Sequence, residues 1–211
     1  LPRRVASGGV CLLTGPNLSG RTSALVQVGI AAAQAAGSVL HIALRDPSAM
    51  IWNAYSAECG RLSAFGHKAS LDGLRSRILV KSVGHREKMP TELERTLKAF
   101  EDHSTWTPST ILIDDYRVED SRHAGWNLEA IRQVAIAKKA DHWIASPMHV
   151  DLLFGEEAFA RQATFPDVVV TLRMNRHMPV ASVTHAYGCD VNIPVPCNLT
   201  SGVTRLERFV S

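Results

Sequence analysis

Short apolar runs alternate along most of the chain with longer stretches that mix apolar and polar positions. Runs rich in Val, Ile and Leu predict buried strands at 9–15, 38–44, 77–83, 110–115 and 142–146. The intervening patterns predict an Ala-rich helix at 20–36 closed by Gly37, and further helices at 48–62, 91–102 and 127–140. A sixth buried strand is predicted at 167–174, and short antiparallel strands at 180–186, 191–196 and 203–209.

This alternation of strands and helices predicts an α/β fold, with a mainly parallel twisted sheet and helices on both faces. We expect one domain over residues 1–211, because that length supports one core and no linker or internal repeat interrupts it. Ligands of such sheets bind beyond the carboxyl ends of the strands, so those ends are the first places to look for chemistry.

Composition narrows the class of protein without naming a function. Apolar residues make up 45% and charged residues 20%, as in ordinary globular proteins, and the net charge of +3 is too small to indicate nucleic acid alone. No window approaches the ~18 apolar residues of a membrane helix, so no membrane partner is expected. Four scattered cysteines predict reduced thiols and a cytoplasmic location. The chain begins without Met, which is compatible with a fragment of a longer protein.

The segment "GPNLSGRT" follows the first predicted strand and nearly matches the phosphate-binding pattern G-x-x-x-x-G-K-[S/T]. Glycines let successive N–H groups turn toward phosphate oxygens, and the following helix places its positive end beneath them. The predicted phosphate-binding residues are Gly15, Pro16, Asn17, Leu18, Ser19, Gly20, Arg21 and Thr22. The alternative is an ordinary Gly/Ser-rich turn.

Arg21 stands where the pattern requires Lys. Arginine keeps the positive charge, but its planar fork is bulkier than an ammonium group. It is less suited to placing a terminal phosphate for in-line attack, where a misplacement of ~1 Å can reduce the rate about a hundredfold. The segment therefore predicts ATP binding more firmly than ATP hydrolysis.

A pair of carboxylates, Asp114 and Asp115, ends the predicted strand at 110–115. A phosphate site of this kind needs a hydroxyl and a carboxylate for Mg²⁺, and Thr22 and Asp114 occupy the corresponding positions. The alternative for the two acids is a turn or a helix cap. With both motifs in order, we expect a phosphate-loop NTPase fold.

With these pieces in place, the chain resembles the RecA-like ATPase domain of hexameric replicative helicases of the DnaB type, including their plasmid RepA relatives. The resemblance covers about residues 10–209. It is carried by "GPNLSGRT" with its Ala-rich helix, by 39–63, by "ILIDDY" with 127–151, and by "FPDVVVTLRMNR" with the strands up to "TRLERF".

The resemblance implies ATP and Mg²⁺ as cofactors, and a ring of identical or related subunits, possibly a hexamer. It implies Asp46 as the base that orients water and His149 as the sensor after the fifth strand, although an exposed loop histidine is the alternative for His149. Single-stranded DNA would be contacted through Arg117, Arg122 and Arg161, with a solvated loop as the alternative. The basic finger that the family supplies to a neighbouring subunit has no counterpart in "VTHAYGCD".

The leading hypothesis is therefore an ATP-binding RecA-like domain that acts in DNA replication or other DNA-associated processes, with weak or lost ATP hydrolysis. One alternative is a non-catalytic nucleotide-binding or scaffold module that regulates partner proteins. Another is a recombination or signalling ATPase similar to RecA or KaiC.

Overall fold

A computed structural model describes residues 8–16, 19–66, 69–84, 89–103, 106–116, 128–147, 166–175, 178–186 and 189–195. The strands are β1 (Val10–Thr14), β2 (Val39–Ala43), β3 (Ile78–Ser82), β4 (Thr110–Asp114), β5 (Asp141–Ser146), β6 (Val168–Asn175), β7 (Met178–Ala186) and β8 (Cys189–Val195). The helices are α1 (Arg21–Gln34), α2 (Ser48–Ala64), α3 (Leu71–Arg75), α4 (Met89–His103) and α5 (Leu128–Lys138).

The described strands form one sheet in the order β3-β2-β4-β5-β1-β6-β7-β8. The pairings from β3 to β6 are all parallel, and β7 and β8 complete the sheet as antiparallel strands. The prediction of an α/β fold with a mainly parallel sheet is confirmed. Because β1 to β6 run in the same direction, their carboxyl ends lie at one edge of the sheet.

The strands at the centre of the sheet are buried along their whole length, as expected where both faces are covered. Alternate residues divide between two cores: Leu13 and Leu112 pack with residues of α1, α2 and α3. Leu12 and Ile113 pack with residues of α4 and α5. Helices therefore cover both faces of the sheet, as predicted.

The end of α1 corrects the prediction that Gly37 closes the helix. The left-handed residue is Ala36, with φ 67°, one position earlier. The N–H of Gly37 donates to the carbonyl oxygen of Ala32 over 2.9 Å, which completes the turn. Glycine is needed at 37 for space, because a Cβ there would lie 2.8 Å from Oγ of Ser109.

Other boundaries differ in ways that have physical reasons. Helix α2 ends at Ala64, beyond its predicted end at 62, and it passes through Gly60, where a Cβ would meet nothing within 4 Å. Helix α3 has no predicted counterpart, because five residues show no helical periodicity. The expected short antiparallel strands have nine residues in β7 and seven in β8, because pairing between adjacent strands continues up to their turns. The predicted strand at 203–209 lies outside the described residues. None of the described helices combines the length and hydropathy needed to cross a bilayer.

Candidate functional site

A pocket of about 410 Å³ lies at the sheet edge where β1, β2 and β4 end. This volume is within the range of small-ligand sites. Its lining residues are Ser19, Gly20, Arg21, Thr22, Ser23, Arg45, Asp46, Asp114 and Asp115. The structure thus brings the candidate phosphate, Mg²⁺ and base residues of three separate chain segments around one cavity.

The turn between β1 and α1 has the tight geometry that its two glycines allow. A Cβ on Gly15 would lie 2.7 Å from the carbonyl oxygen of Leu172 and 2.6 Å from Oγ of Ser19, so a larger residue would displace β6 or the turn. Gly20 has φ 85°, a left-handed conformation that other residues rarely adopt. The N–H of Ser19 donates to the carbonyl oxygen of Pro16 over 3.2 Å.

The N-terminus of helix α1 faces the pocket, and no side chain of the helix's own cap or first turn neutralises its partial positive charge. Its cap residue, Gly20, brings no side-chain hydrogen bond, and its first turn contains no acidic residue. The first N–H groups of a helix have no partner within it, and together they carry a partial positive charge. Ser19 lines the same pocket, and its buried Oγ has no hydrogen-bond partner among the described residues. These groups form a binding environment for an anion.

Arg21 is directed into its own turn. One guanidinium nitrogen, Nη1, donates to the backbone carbonyl oxygens of both Gly15 and Pro16. Burial lowers the pKa of Arg21, while the negative charges of Asp115 and Asp114 act in the opposite direction. The guanidinium therefore joins the start of α1 to the start of the turn that precedes it.

Asp114 is a buried carboxylate at the end of β4, with 4% of its surface exposed. It accepts hydrogen bonds from the Thr22 side chain and from the backbone N–H of Asp115. Burial nevertheless raises the pKa of Asp114, and the charges of Asp115 and Asp46 add to that effect. A hydroxyl and a carboxylate in contact are oxygen ligands of the kind that Mg²⁺ prefers, so this pair fits the ion.

The turn after β2 carries Asp46 to the pocket wall. Its position is fixed from β3, because Oγ of Ser82 donates to the carbonyl oxygen of Asp46 over 3.0 Å. Among the described residues, no group of three or more His, Cys, Asp or Glu side chains could hold a metal ion. A metal at Thr22 and Asp114 would therefore take its other ligands from a bound phosphate and from water, as Mg²⁺ often does.

The remaining predicted site residues lie outside the described part of the chain. They are Asn17, Leu18, Arg117, Arg122, His149 and Arg161. In the other direction, the sequence did not assign Ser23 and Arg45 to the pocket, or anticipate the contact of Arg21 with its own turn. Ser23 and Arg45 are each adjacent in sequence to an assigned residue, Thr22 and Asp46, but no sequence pattern signals where the Arg21 side chain points.

Comparison with models of known protein families gives no match to this chain, and comparison with curated proteins gives none either.

Proposed function

We propose that the pocket binds the phosphate groups of a nucleotide, with ATP and Mg²⁺ as the cofactors, and that the chain is a RecA-like phosphate-loop domain. One observation carries this proposal: the uncapped N-terminus of α1 and the hydrogen-bonded pair Thr22 and Asp114 meet in the same cavity. Anion-binding and Mg²⁺-binding groups side by side suit a metal–phosphate complex.

Different described residues hold the phosphate groups and the metal ion of such a complex. The N–H groups at the start of α1 and the hydroxyl of Ser19 hold phosphate oxygens, while Thr22 and Asp114 hold Mg²⁺. When bound, the ion neutralises phosphate charge. Asp46 lines the same pocket, where a carboxylate can accept a proton from water.

Arg21 favours binding over turnover. Its guanidinium already donates to two carbonyl oxygens of the turn, so it is not in position to follow charge on a transferring phosphate. We propose weak or lost ATP hydrolysis in a domain related to the hexameric replicative helicases, acting in DNA-associated processes. The same contact favours a second candidate, a non-catalytic nucleotide-binding module that regulates partner proteins.

Calorimetric titration with ATP and MgCl₂ tests the binding site. We expect micromolar to millimolar affinity, and a loss of at least about tenfold in Thr22→Ala and Asp114→Asn, since the first removes one Mg²⁺ ligand and the second removes the negative charge of the other. Asp72→Asn, an exposed acid in α3, is the matched control and should bind like the unaltered protein. Failure of the unaltered protein to bind either ATP or ADP would overturn the proposal.

ATP turnover separates the two candidate functions. Hydrolysis that single-stranded DNA stimulates, and that Thr22→Ala abolishes, supports the helicase-related motor. Binding without turnover, in the unaltered protein and in Arg21→Lys alike, supports the non-catalytic module.

A further inference from the structure

The contact between Arg21 and its own turn bears on which part of a nucleotide the pocket recognises. We propose that the described residues of the site recognise the diphosphate unit and that Arg21 makes no specific contact with the terminal phosphate of a triphosphate, so that nucleoside di- and triphosphates bind with similar affinity. This inference rests on the proposed nucleotide site.

The Arg21 side chain folds back onto the turn before its own helix. Arg21 is the first residue of α1, and its side chain reaches back to the carbonyl oxygens of Gly15 and Pro16. These are charge-assisted hydrogen bonds, the stronger kind among protein groups. An arginine that spans the turn in this way is a structural part of the turn.

The surroundings of Arg21 hold its side chain in place. Gly15 is buried, so removing the guanidinium would take a donor from a carbonyl group that has little access to water. The cost of breaking this bond opposes an outward movement of Arg21 toward a distant phosphate.

Other groups beside the turn remain available to a ligand. Ser19 lines the pocket with 2% of its surface exposed, and within the described part of the chain its Oγ has no hydrogen-bond partner. Together with the uncapped start of α1, this hydroxyl points to an anion bound close to the helix. All these groups lie beside the turn, where they can surround the phosphates nearest to it.

A thermodynamic cycle between Arg21 and the terminal phosphate tests the inference. The dissociation constants of ADP and ATP are measured by calorimetry, with MgCl₂, for the unaltered protein, Arg21→Met and Arg21→Lys. We expect the two nucleotides to differ by less than about threefold in the unaltered protein. Arg21→Met should weaken both by a common factor, with a coupling below about twofold, and Arg21→Lys should restore part of the loss of both.

A direct contact between Arg21 and the terminal phosphate predicts a different result. Arg21→Met would then weaken ATP at least about tenfold more than ADP, as expected for the loss of one charge-assisted bond, and this outcome would overturn the inference. Arg77→Met removes an exposed arginine outside the pocket lining and should leave both affinities unchanged.

Two further measurements keep the outcomes distinct. Pyrophosphate and tripolyphosphate are compared on the unaltered protein, which tests the inference even if Arg21→Met does not fold; similar affinities support it, and a tenfold preference for tripolyphosphate contradicts it. Ser19→Ala should weaken both anions equally. If neither nucleotide binds at all, the proposed function fails; if both bind with a strong preference for ATP that depends on Arg21, only the diphosphate inference fails.

Discussion

Replacing Asp114 with Asn should make the protein more stable while weakening the proposed Mg²⁺ site. The carboxylate is 4% exposed, and its burial raises its pKa above the ordinary value. A raised pKa in an acid means that the folded state disfavours the charged form. Asparagine has nearly the same shape and keeps an oxygen that can accept the bond from Thr22, but it carries no charge.

The size of the gain follows from two opposing effects. Removing a buried charge relieves its desolvation, while the hydrogen bonds from Thr22 and from the N–H of Asp115 lose their charge assistance. Single stabilising substitutions commonly give about 0.5–2 kcal/mol, and we expect a gain in this range. For a domain of this size, each kcal/mol corresponds to about 2–4 °C in the unfolding temperature.

The dependence on pH identifies the cause. Below the ordinary Asp pKa of about 3.9, Asp114 is protonated in both folded and unfolded states, so the variant should have no advantage. As the pH rises from there through the raised pKa of the folded state, the unaltered protein loses stability relative to Asp114→Asn. Above that pKa the difference is constant.

Urea unfolding of both proteins at a series of pH values, without nucleotide or metal, measures this difference. Asp72→Asn serves as the exposed control and should stay within about 0.5 kcal/mol of the unaltered protein. A variant that is less stable at pH 7.5, or whose advantage does not change with pH, would show that the buried charge is not the source of the effect.

Three other substitutions test the packing and electrostatics of the fold. Gly29→Ala should lose about 1–3 kcal/mol of unfolding free energy, because its Cβ would lie 2.3 Å from the Tyr55 hydroxyl and 3.0 Å from Cδ1 of Leu112. Tyr55→Phe in the same chain should recover part of the loss, and additive effects of the two substitutions would contradict the clash. Ala36→Gly should gain about 0.5–1 kcal/mol in thermal unfolding, since Ala36 has φ 67°; a loss would refute the claim of strain. Burial lowers the pKa of His142 to about 4, so its neutral form favours folding above about pH 6.5 and that contribution falls as the pH drops toward 4. Compared with His142→Asn, the unaltered protein should lose up to about 1.4 kcal/mol per pH unit over that range, and parallel pH profiles would rule this out.

The sequence predicts the sheet well because its strands are buried on both faces and so appear as continuous apolar runs. It does not predict the order of the strands, since the residues that pair, such as Cys11 and Val168, are far apart in the chain. The predicted end of α1 is one position late. A Cβ at Gly37 would crowd both the carbonyl oxygen of Ala32 and Oγ of Ser109, and the contact with Ser109 is a tertiary one that no local pattern contains. Local rules favour glycine at the left-handed position, where the chain has Ala36 instead.

The candidate site likewise has features that the sequence predicts and features that it does not. Positions close to a strand end, such as Thr22, Asp46 and Asp114, can be predicted because a parallel sheet brings its carboxyl ends together. The contact of Arg21 with its turn depends on a side-chain conformation, and the unpaired hydroxyl of Ser19 depends on its burial. Both are properties of the packed structure, and the pattern of residue types does not determine them.

The position of β1 in the sheet has a consequence for how the protein is made. Its two neighbours, β5 and β6, are paired through contacts such as Val10 with His142 and Cys11 with Val168. At the usual speed of about 5–20 residues per second, the ribosome needs about 6–25 s to reach β5 and about 8–30 s to reach β6. Until β5 is made, an apolar strand that leads directly into the candidate site has neither partner, so nascent chains should depend on chaperones for longer than a protein that pairs its strands in order of synthesis.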